Sequence, residues 1–345
     1  MFWLFAPLAL AATDAPVRIN DLVMLGTHNS YKQAMPAERM KQLRAFDANS
    51  ADALDYSHRP LIEQLDAGAR QLELDIWYDP KGGLYTDGSI DPAMQRPGFK
   101  VQHMAGFDNR SSCLTLVQCL TIIRTWSDAH PGHVPILLMF NTNDNGRFIK
   151  GEPYSESAYD ALDAEVRSVL SPNKLIVPDE VQGRYPTLRD AVLANNWPTL
   201  KASRGKFLFA LDESPAKVAL YRGARKSLEG RVFFVNTDEA SPAAAYMTIN
   251  EPVTDAARIA KAVKANFLVR TRADANTREA RVNDTRPRDA AFTSGAQYIS
   301  TDYLWPDSRF AGGYRVTMPR GAIALCNKVR RPQGCGAPIT EPKTR

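Results

Sequence analysis

The chain has 345 residues, of which 44% are hydrophobic and 23% charged. That composition belongs to a globular protein with a large core and excludes a disordered chain, a collagen-like repeat and a coiled coil. Lys and Arg number 43 against 38 Asp and Glu, a formal charge of +5 spread along the chain, which makes no case for nucleic acid and is compatible with an anionic lipid surface.

The first twelve residues, MFWLFAPLALAA, are apolar, and Ala9-Leu10-Ala11 has the small-x-small form of a cleavage site. Residues 1–12 therefore read as a secretory signal peptide, which predicts a secreted or periplasmic protein. The competing reading is a buried N-terminal strand. No later apolar run reaches the length of a membrane span.

Eight strand-like runs follow: Leu22–Gly26, Ala69–Ile76, Phe99–His103, Pro135–Asn141, Lys206–Asp212, Arg231–Asn236, Asn266–Thr271 and Gln297–Asp302. Many are apolar throughout, as in strands buried on both faces of a parallel sheet. Amphipathic stretches lie between them at Pro60–Ala67, Leu114–Ala129, Ser157–Leu170 and Asp255–Lys264. The alternation predicts an α/β fold, a (β/α)8 TIM barrel, over residues 18–310. Asp79–Pro97, rich in Gly, Pro and Asp, breaks the alternation as a loop or hairpin excursion. Residues 311–345 read as a long C-terminal extension packed on the barrel. Four cysteines fall as two close pairs without metal-site spacing, Cys113 with Cys119 and Cys326 with Cys335. Of the three possible connectivities, two local disulfides fit an exported enzyme best.

A barrel enzyme carries its chemistry at the C-terminal ends of its strands. Polar residues gather at those positions here. Strand one ends at Thr27-His28-Asn29, strand three at His103 and strand four at Asn141, with Asn143 and Asp144 beyond. Glu73 and Asp75 lie two apart on strand two and share a face. Asp212, Arg270 and Asp302 mark strands five, seven and eight. Two histidines across a cavity can serve as general base and acid. Asn29, Glu73, Asp75 and Asn141 are hard oxygen donors, suited to Ca2+ or Mg2+ and not to Zn2+. Arg270 is a candidate phosphate donor, and Asp302 a candidate acceptor that fixes the tautomer of His28. The set points to phosphodiester cleavage.

Plainer roles compete for the same residues. Glu73 and Asp75 could pair with Arg70, Asn141 could satisfy backbone groups, Asp212 and Arg270 could bridge the rim, and Asp302 could cap a turn. His58, His130 and His133 read as solvated. Trp77, Tyr78, Tyr303 and Trp305 read as lining the site or touching lipid.

The segment Leu25-Gly26-Thr27-His28-Asn29-Ser30-Tyr31, the strand Leu72-Glu73-Leu74-Asp75-Ile76-Trp77 and His103 after a gap resemble phosphoinositide-specific phospholipase C. The nearest resemblance is to the secreted, calcium-dependent bacterial branch (phospholipase C1-like). VRTRAD at Val269–Asp274 and SGAQYISTDY at Ser294–Tyr303 extend it over most of the chain. The resemblance implies a barrel of the phospholipase C-like phosphodiesterase type. It implies one Ca2+ held by Asn29, Glu73, Asp75 and Asn141, and in-line attack of the inositol 2-hydroxyl through a cyclic phosphate. His28 and His103 take the catalytic positions. The favoured division puts His103 on the phosphoryl group and His28 on the phosphate and leaving oxygen. Asn141 departs from the animal enzymes, which have Glu there, so one negative charge is lost and weaker Ca2+ binding is expected. The implied partner is a phospholipid substrate at a membrane surface, with no obligate protein partner and no nucleic acid. Two alternatives remain open: a glycerophosphodiesterase or sphingomyelinase D-like diesterase on the same barrel, and a non-catalytic secreted lipid-binding protein.

Overall fold

A computed structural model describes residues 15–86, 89 and 91–342. The segment read as a signal peptide lies outside the described residues. Eleven strands form one sheet: β1 Leu22–Thr27, β2 Gln71–Asp79, β3 Gly98–Val101, β4 Ile136–Asn143, β5 Leu175–Ile176, β6 Phe207–Leu211, β7 Phe233–Val235, β8 Tyr246–Thr248, β9 Leu268–Arg272, β10 Tyr298–Thr301 and β11 Leu325–Cys326. Eight of them make a parallel ring in the order β1-β2-β4-β6-β7-β8-β9-β10, and β10 returns to β1. The seam between β7 and β8 is closed by one parallel bridge, Asn236 to Tyr246. The fold is the expected TIM barrel. Ile136–Phe140 of β4 and all five residues of β6 are fully buried, as expected of strands covered on both faces.

β1 and β2 approach each other closely at one point. Their one register pair is Gly26 with Gln71, and a Cβ at Gly26 would stand 2.2 Å from the Gln71 carboxamide oxygen. Only glycine admits that approach. The helices predicted from periodicity occur at Leu61–Asp66, Leu116–Ala129, Glu156–Val169 and Ala256–Lys264. Thr115 and Gln118 cap the second reciprocally, which fixes its start between the two cysteines of the 113–119 disulfide, with Cys119 in its first turn. The Glu156–Val169 helix buries Tyr159, Leu162 and Val166 against the barrel, one apolar face at 3.6-residue spacing.

Two strand assignments need correction. The run Phe99–His103 is no barrel strand. It forms β3, which pairs antiparallel with the outer half of β2, so Asp79–Pro97 is the turn of a hairpin and His103 lies beyond the strand. The eighth barrel strand is instead β8, only three residues long. No helix separates it from β7, so the alternation that betrays a βα unit is missing there.

Both disulfides join the expected local pairs, Cys113–Cys119 and Cys326–Cys335. The chain after β10 folds back across the barrel. Val316 bonds to Tyr303, and β11 pairs antiparallel with the start of β1. Glu341 closes an ion pair on the buried Arg70 at 2.5 Å. Among the described residues no helix is long and apolar enough to cross a membrane.

Candidate active site

The rim at the C-terminal strand ends brings together His28, Asn29, Glu73, Asp75, His103, Asn141, Arg270 and Asp302. Asn29 sits at φ +46°, a left-handed position that asparagine tolerates better than most residues. That turn follows β1 directly and sets His28 and Asn29 over the barrel mouth. The buried Asn29 carboxamide nitrogen donates to the Tyr56 hydroxyl at 2.8 Å, while its oxygen is buried without a hydrogen-bond partner.

Glu73 and Asp75 point inward from β2, and the Asn141 amide on neighbouring β4 bonds to both, 3.1 Å to Glu73 Oε1 and 3.1 Å to Asp75 Oδ1. The register that pairs Asp75 with Asn141 makes this possible. Arg270 from β9 crosses the barrel to Glu73 Oε2 at 2.6 Å and also donates to Asn250. Burial raises the Asp75 carboxyl to about 7, a shift reinforced by Glu73 and opposed by His103 and Asn141. Two converging buried acids and an unpartnered carboxamide oxygen fit a hard cation. The set has two carboxylates and two carboxamides. Among the described residues no group of three or more His, Cys, Asp or Glu is arranged to hold a metal.

Each histidine has its own carboxylate. His28 Nδ1 donates to Asp302 Oδ1 at 2.9 Å. His103 Nδ1 donates to Asp108 Oδ2 at 2.8 Å. These bonds fix both tautomers with Nε2 left for the substrate. His28 Nε2 stands 3.7 Å from Glu73 Oε1. The proton affinities then separate. Burial, with the Arg272 guanidinium beside it, holds His28 well below the usual imidazole range, although Glu73 pulls the other way. Burial also pulls His103 down, but Asp108 and Asp75 outweigh it and lift the ring above its ordinary value. A pair of titrating groups pushed apart in this way can divide the roles of base and acid.

Several participants are absent from the sequence reading. Asp108 is held by Lys32, whose buried ammonium lies 3.2 Å from it and donates to the carbonyls of Leu54 and Tyr56. Gly106, at φ +77°, turns the Met104–Asp108 loop back toward His103. The HxxxxD spacing with an internal glycine was the available signal. Arg272 reaches 3.4 Å from His28 Nδ1 and 3.7 Å from Asp302 Oδ2, and stands two residues from Arg270 on the same face of β9. His58 is no solvated histidine: its side chain is buried, donates to the His28 carbonyl at 2.7 Å and lies 3.9 Å from Asp302. His133 is likewise buried, bonded to Ser127, while His130 is half-buried against Trp126.

Three of the plainer alternatives are not realised. Arg70 pairs with Glu341 rather than with the acids of β2. Asn141 serves the two carboxylates. Asp212 accepts from Asn236 at 2.8 Å and makes no bridge to Arg270, so it stands apart from the histidines. Of the aromatics, Trp77 and Tyr303 are buried, and Trp305 is stacked by Arg59.

A closed ring of parallel strands, two carboxylate-bound histidines and a pair of inward acids define a barrel phosphodiesterase. The family model "Phosphoinositide phospholipase C, Ca2+-dependent" matches residues 17–328, and the chain belongs to that family of phosphoric diester hydrolases. Two solved structures share the fold. A Ca2+-dependent phosphatidylinositol-specific phospholipase C from Streptomyces antibioticus is 19% identical with a TM-score of 0.56, over 83% of this chain and 95% of that one. A calcium-dependent phosphoinositol-specific phospholipase C from Pseudomonas sp. is 20% identical with a TM-score of 0.55, over 90% and 99%. A comparison with curated proteins finds no match.

Proposed function

We propose that the protein is a secreted Ca2+-dependent phospholipase C that cleaves phosphatidylinositol or a related inositol phosphodiester through a cyclic inositol phosphate. The observation that carries this reading is the pair of rim histidines beside the inward acids of β2, each oriented by its own buried carboxylate. The proton affinities favour His28 Nε2 as the base and His103 Nε2 as the acid. His28 takes the proton of the substrate's 2-hydroxyl as its oxygen bonds to phosphorus. The bond from phosphorus to the glycerol oxygen breaks, and His103 delivers its proton to that oxygen. Asp302 stabilises the imidazolium that forms on His28, as a buried carboxylate does in a triad. Arg270 and Arg272 offer guanidinium donors to the phosphate. Asn29, Glu73, Asp75 and Asn141 would hold the cation, which when bound offsets charge developing on the phosphoryl oxygens. Asp212 acts from outside this set, as a support of the rim.

The test is release of water-soluble phosphate ester from phosphatidylinositol vesicles with Ca2+, with Mg2+ and with chelator, read by 31P NMR. A cyclic inositol phosphate that requires Ca2+ is expected. Cleavage of phosphatidylcholine, or activity with Mg2+ alone, would move the protein to the neighbouring diesterases. No turnover under any of these conditions would favour the lipid-binding alternative.

A further inference from the structure

Between the helices Ala48–Leu54 and Leu61–Asp66 the chain passes beside His28 as an irregular segment. Bonds from both ends pin it to the turn after β1. The buried Lys32 ammonium donates to the carbonyls of Leu54 and Tyr56, each at 3.1 Å. The backbone N–H of His58 donates to the Lys32 carbonyl at 2.9 Å, and its imidazole donates to the His28 carbonyl at 2.7 Å. Between these anchors Tyr56 is buried. Its ring stacks on that of His28, with centroids 5.8 Å apart, and lies under the Lys32 ammonium at 4.8 Å. Its hydroxyl accepts from the Asn29 amide nitrogen at 2.8 Å. The other near neighbour of that hydroxyl, His28 Nδ1 at 3.3 Å, already donates to Asp302. The acid–base chemistry does not call on this phenol.

A carboxamide has two unlike ends: its nitrogen only donates and its oxygen only accepts. Only the oxygen can face a hard cation. In Asn29 the two ends are divided in that sense. The nitrogen is spent on Tyr56, and the oxygen is buried without a hydrogen-bond partner. We infer that Tyr56 is a positioning residue for the cation site, its hydroxyl holding the Asn29 carboxamide with the oxygen turned to the metal. The inference rests on the Ca2+-dependent reading of this site. Without the hydroxyl a buried N–H loses its acceptor, which costs free energy. The amide then gains by turning its N–H toward the inward acids of β2, and it presents a donor where the cation requires an oxygen. Partners that orient metal ligands act in this way in general, and losing one costs about ten- to a hundredfold in metal affinity.

Calorimetric titration of the full chain with Ca2+, beside thermal unfolding in chelator, tests the inference. Tyr56→Phe removes the hydroxyl and keeps the ring on His28 and under Lys32. It should weaken Ca2+ binding about tenfold or more. The decisive comparison is the same substitution in an Asn29→Asp background. A carboxylate has oxygen at both ends and needs no orienting partner. There Tyr56→Phe should change Ca2+ affinity by less than about twofold, the non-additivity of one residue acting through another. Equal losses in the two backgrounds would overturn the inference. So would Tyr56→Phe that melts lower in chelator yet binds Ca2+ as the unsubstituted protein does, which would leave Tyr56 a packing residue. No Ca2+ binding by the unsubstituted protein would defeat the cation reading itself, and the inference with it.

Discussion

Replacing Asp108 by Asn changes one charge and almost no volume, at a position 1% exposed. In the native protein this carboxylate accepts from His103 at 2.8 Å and pairs with the Lys32 ammonium at 3.2 Å. Two losses follow, and they can be separated. The first is stability. Lys32 keeps the carbonyls of Leu54 and Tyr56 and the face of the Tyr56 ring, so its charge is not stranded. The expected loss is therefore about 1–3 kcal/mol, the scale of one hydrogen bond to a charged group, and less than the full cost of breaking a buried pair. The second is catalytic. Asp108 is the foremost of the groups that lift the His103 proton affinity. An acid works only while protonated, so the raised affinity extends activity upward in pH. Without Asp108 the alkaline limb of kcat should move to lower pH. Turnover at neutral pH should fall about tenfold to a hundredfold, part of what general acid catalysis contributes. The assay is a pH profile of kcat on mixed micelles beside thermal unfolding. The double variant Lys32→Met/Asp108→Asn, neutral at both positions, should recover much of the stability but not the alkaline limb. A melting temperature that falls while the limb stays in place would reduce Asp108 to a structural residue and refute the reasoning.

His28→Ala and His103→Ala should each lower turnover by at least about a hundredfold with the fold intact by circular dichroism; near-native rates in both would remove the acid–base assignment. Glu73→Gln should raise the Ca2+ concentration needed for half-maximal rate more than it lowers the melting temperature, whereas unfolding with or without Ca2+ would make its pair with Arg270 purely structural. Asn141→Glu adds a third carboxylate beside Glu73 and Asp75 and should tighten Ca2+ binding by calorimetry; unchanged affinity would place Asn141 outside the cation site. Burial depresses the His133 imidazole to about 4, so the unfolded chain binds that proton first as pH falls. Stability should drop by about 3 kcal/mol between pH 6.5 and pH 4 on this account, and His133→Asn should flatten that part of the curve.

The residues that were legible in the sequence are those whose type conflicts with their local pattern. Glu73 and Asp75 interrupt an apolar strand, and His28 and Asn29 close one, so a buried acid or imidazole announced itself before any contact was known. The barrel was legible for the same reason, through apolar runs set between amphipathic helices. What stayed hidden depends on pairings between distant segments. β8 is three residues long and has no preceding helix, so no period could form. Asp108, Lys32 and Arg272 are ordinary charged residues in ordinary surroundings by sequence. Only the hairpin return of β3 and the cross-strand register show that they gather around the histidines and their carboxylates. His103 reaches the rim on a hairpin arm rather than a barrel strand, and a short apolar run ending in His looks the same on both.

That difference in support has a mechanical meaning. His28 is mounted on the ring itself, where any displacement would have to strain β1 against both β10 and β2. His103 hangs from an arm outside the ring, braced by the Asp108–Lys32 pair and by one backbone bond from Gln102 to Asp75. The distance between the two histidines is therefore adjustable without touching the barrel. Changes in the length or composition of the Asp79–Pro97 turn can shift one partner alone. The same arm carries Met104 and Phe107, so a force applied to that loop is delivered to His103 and not to His28.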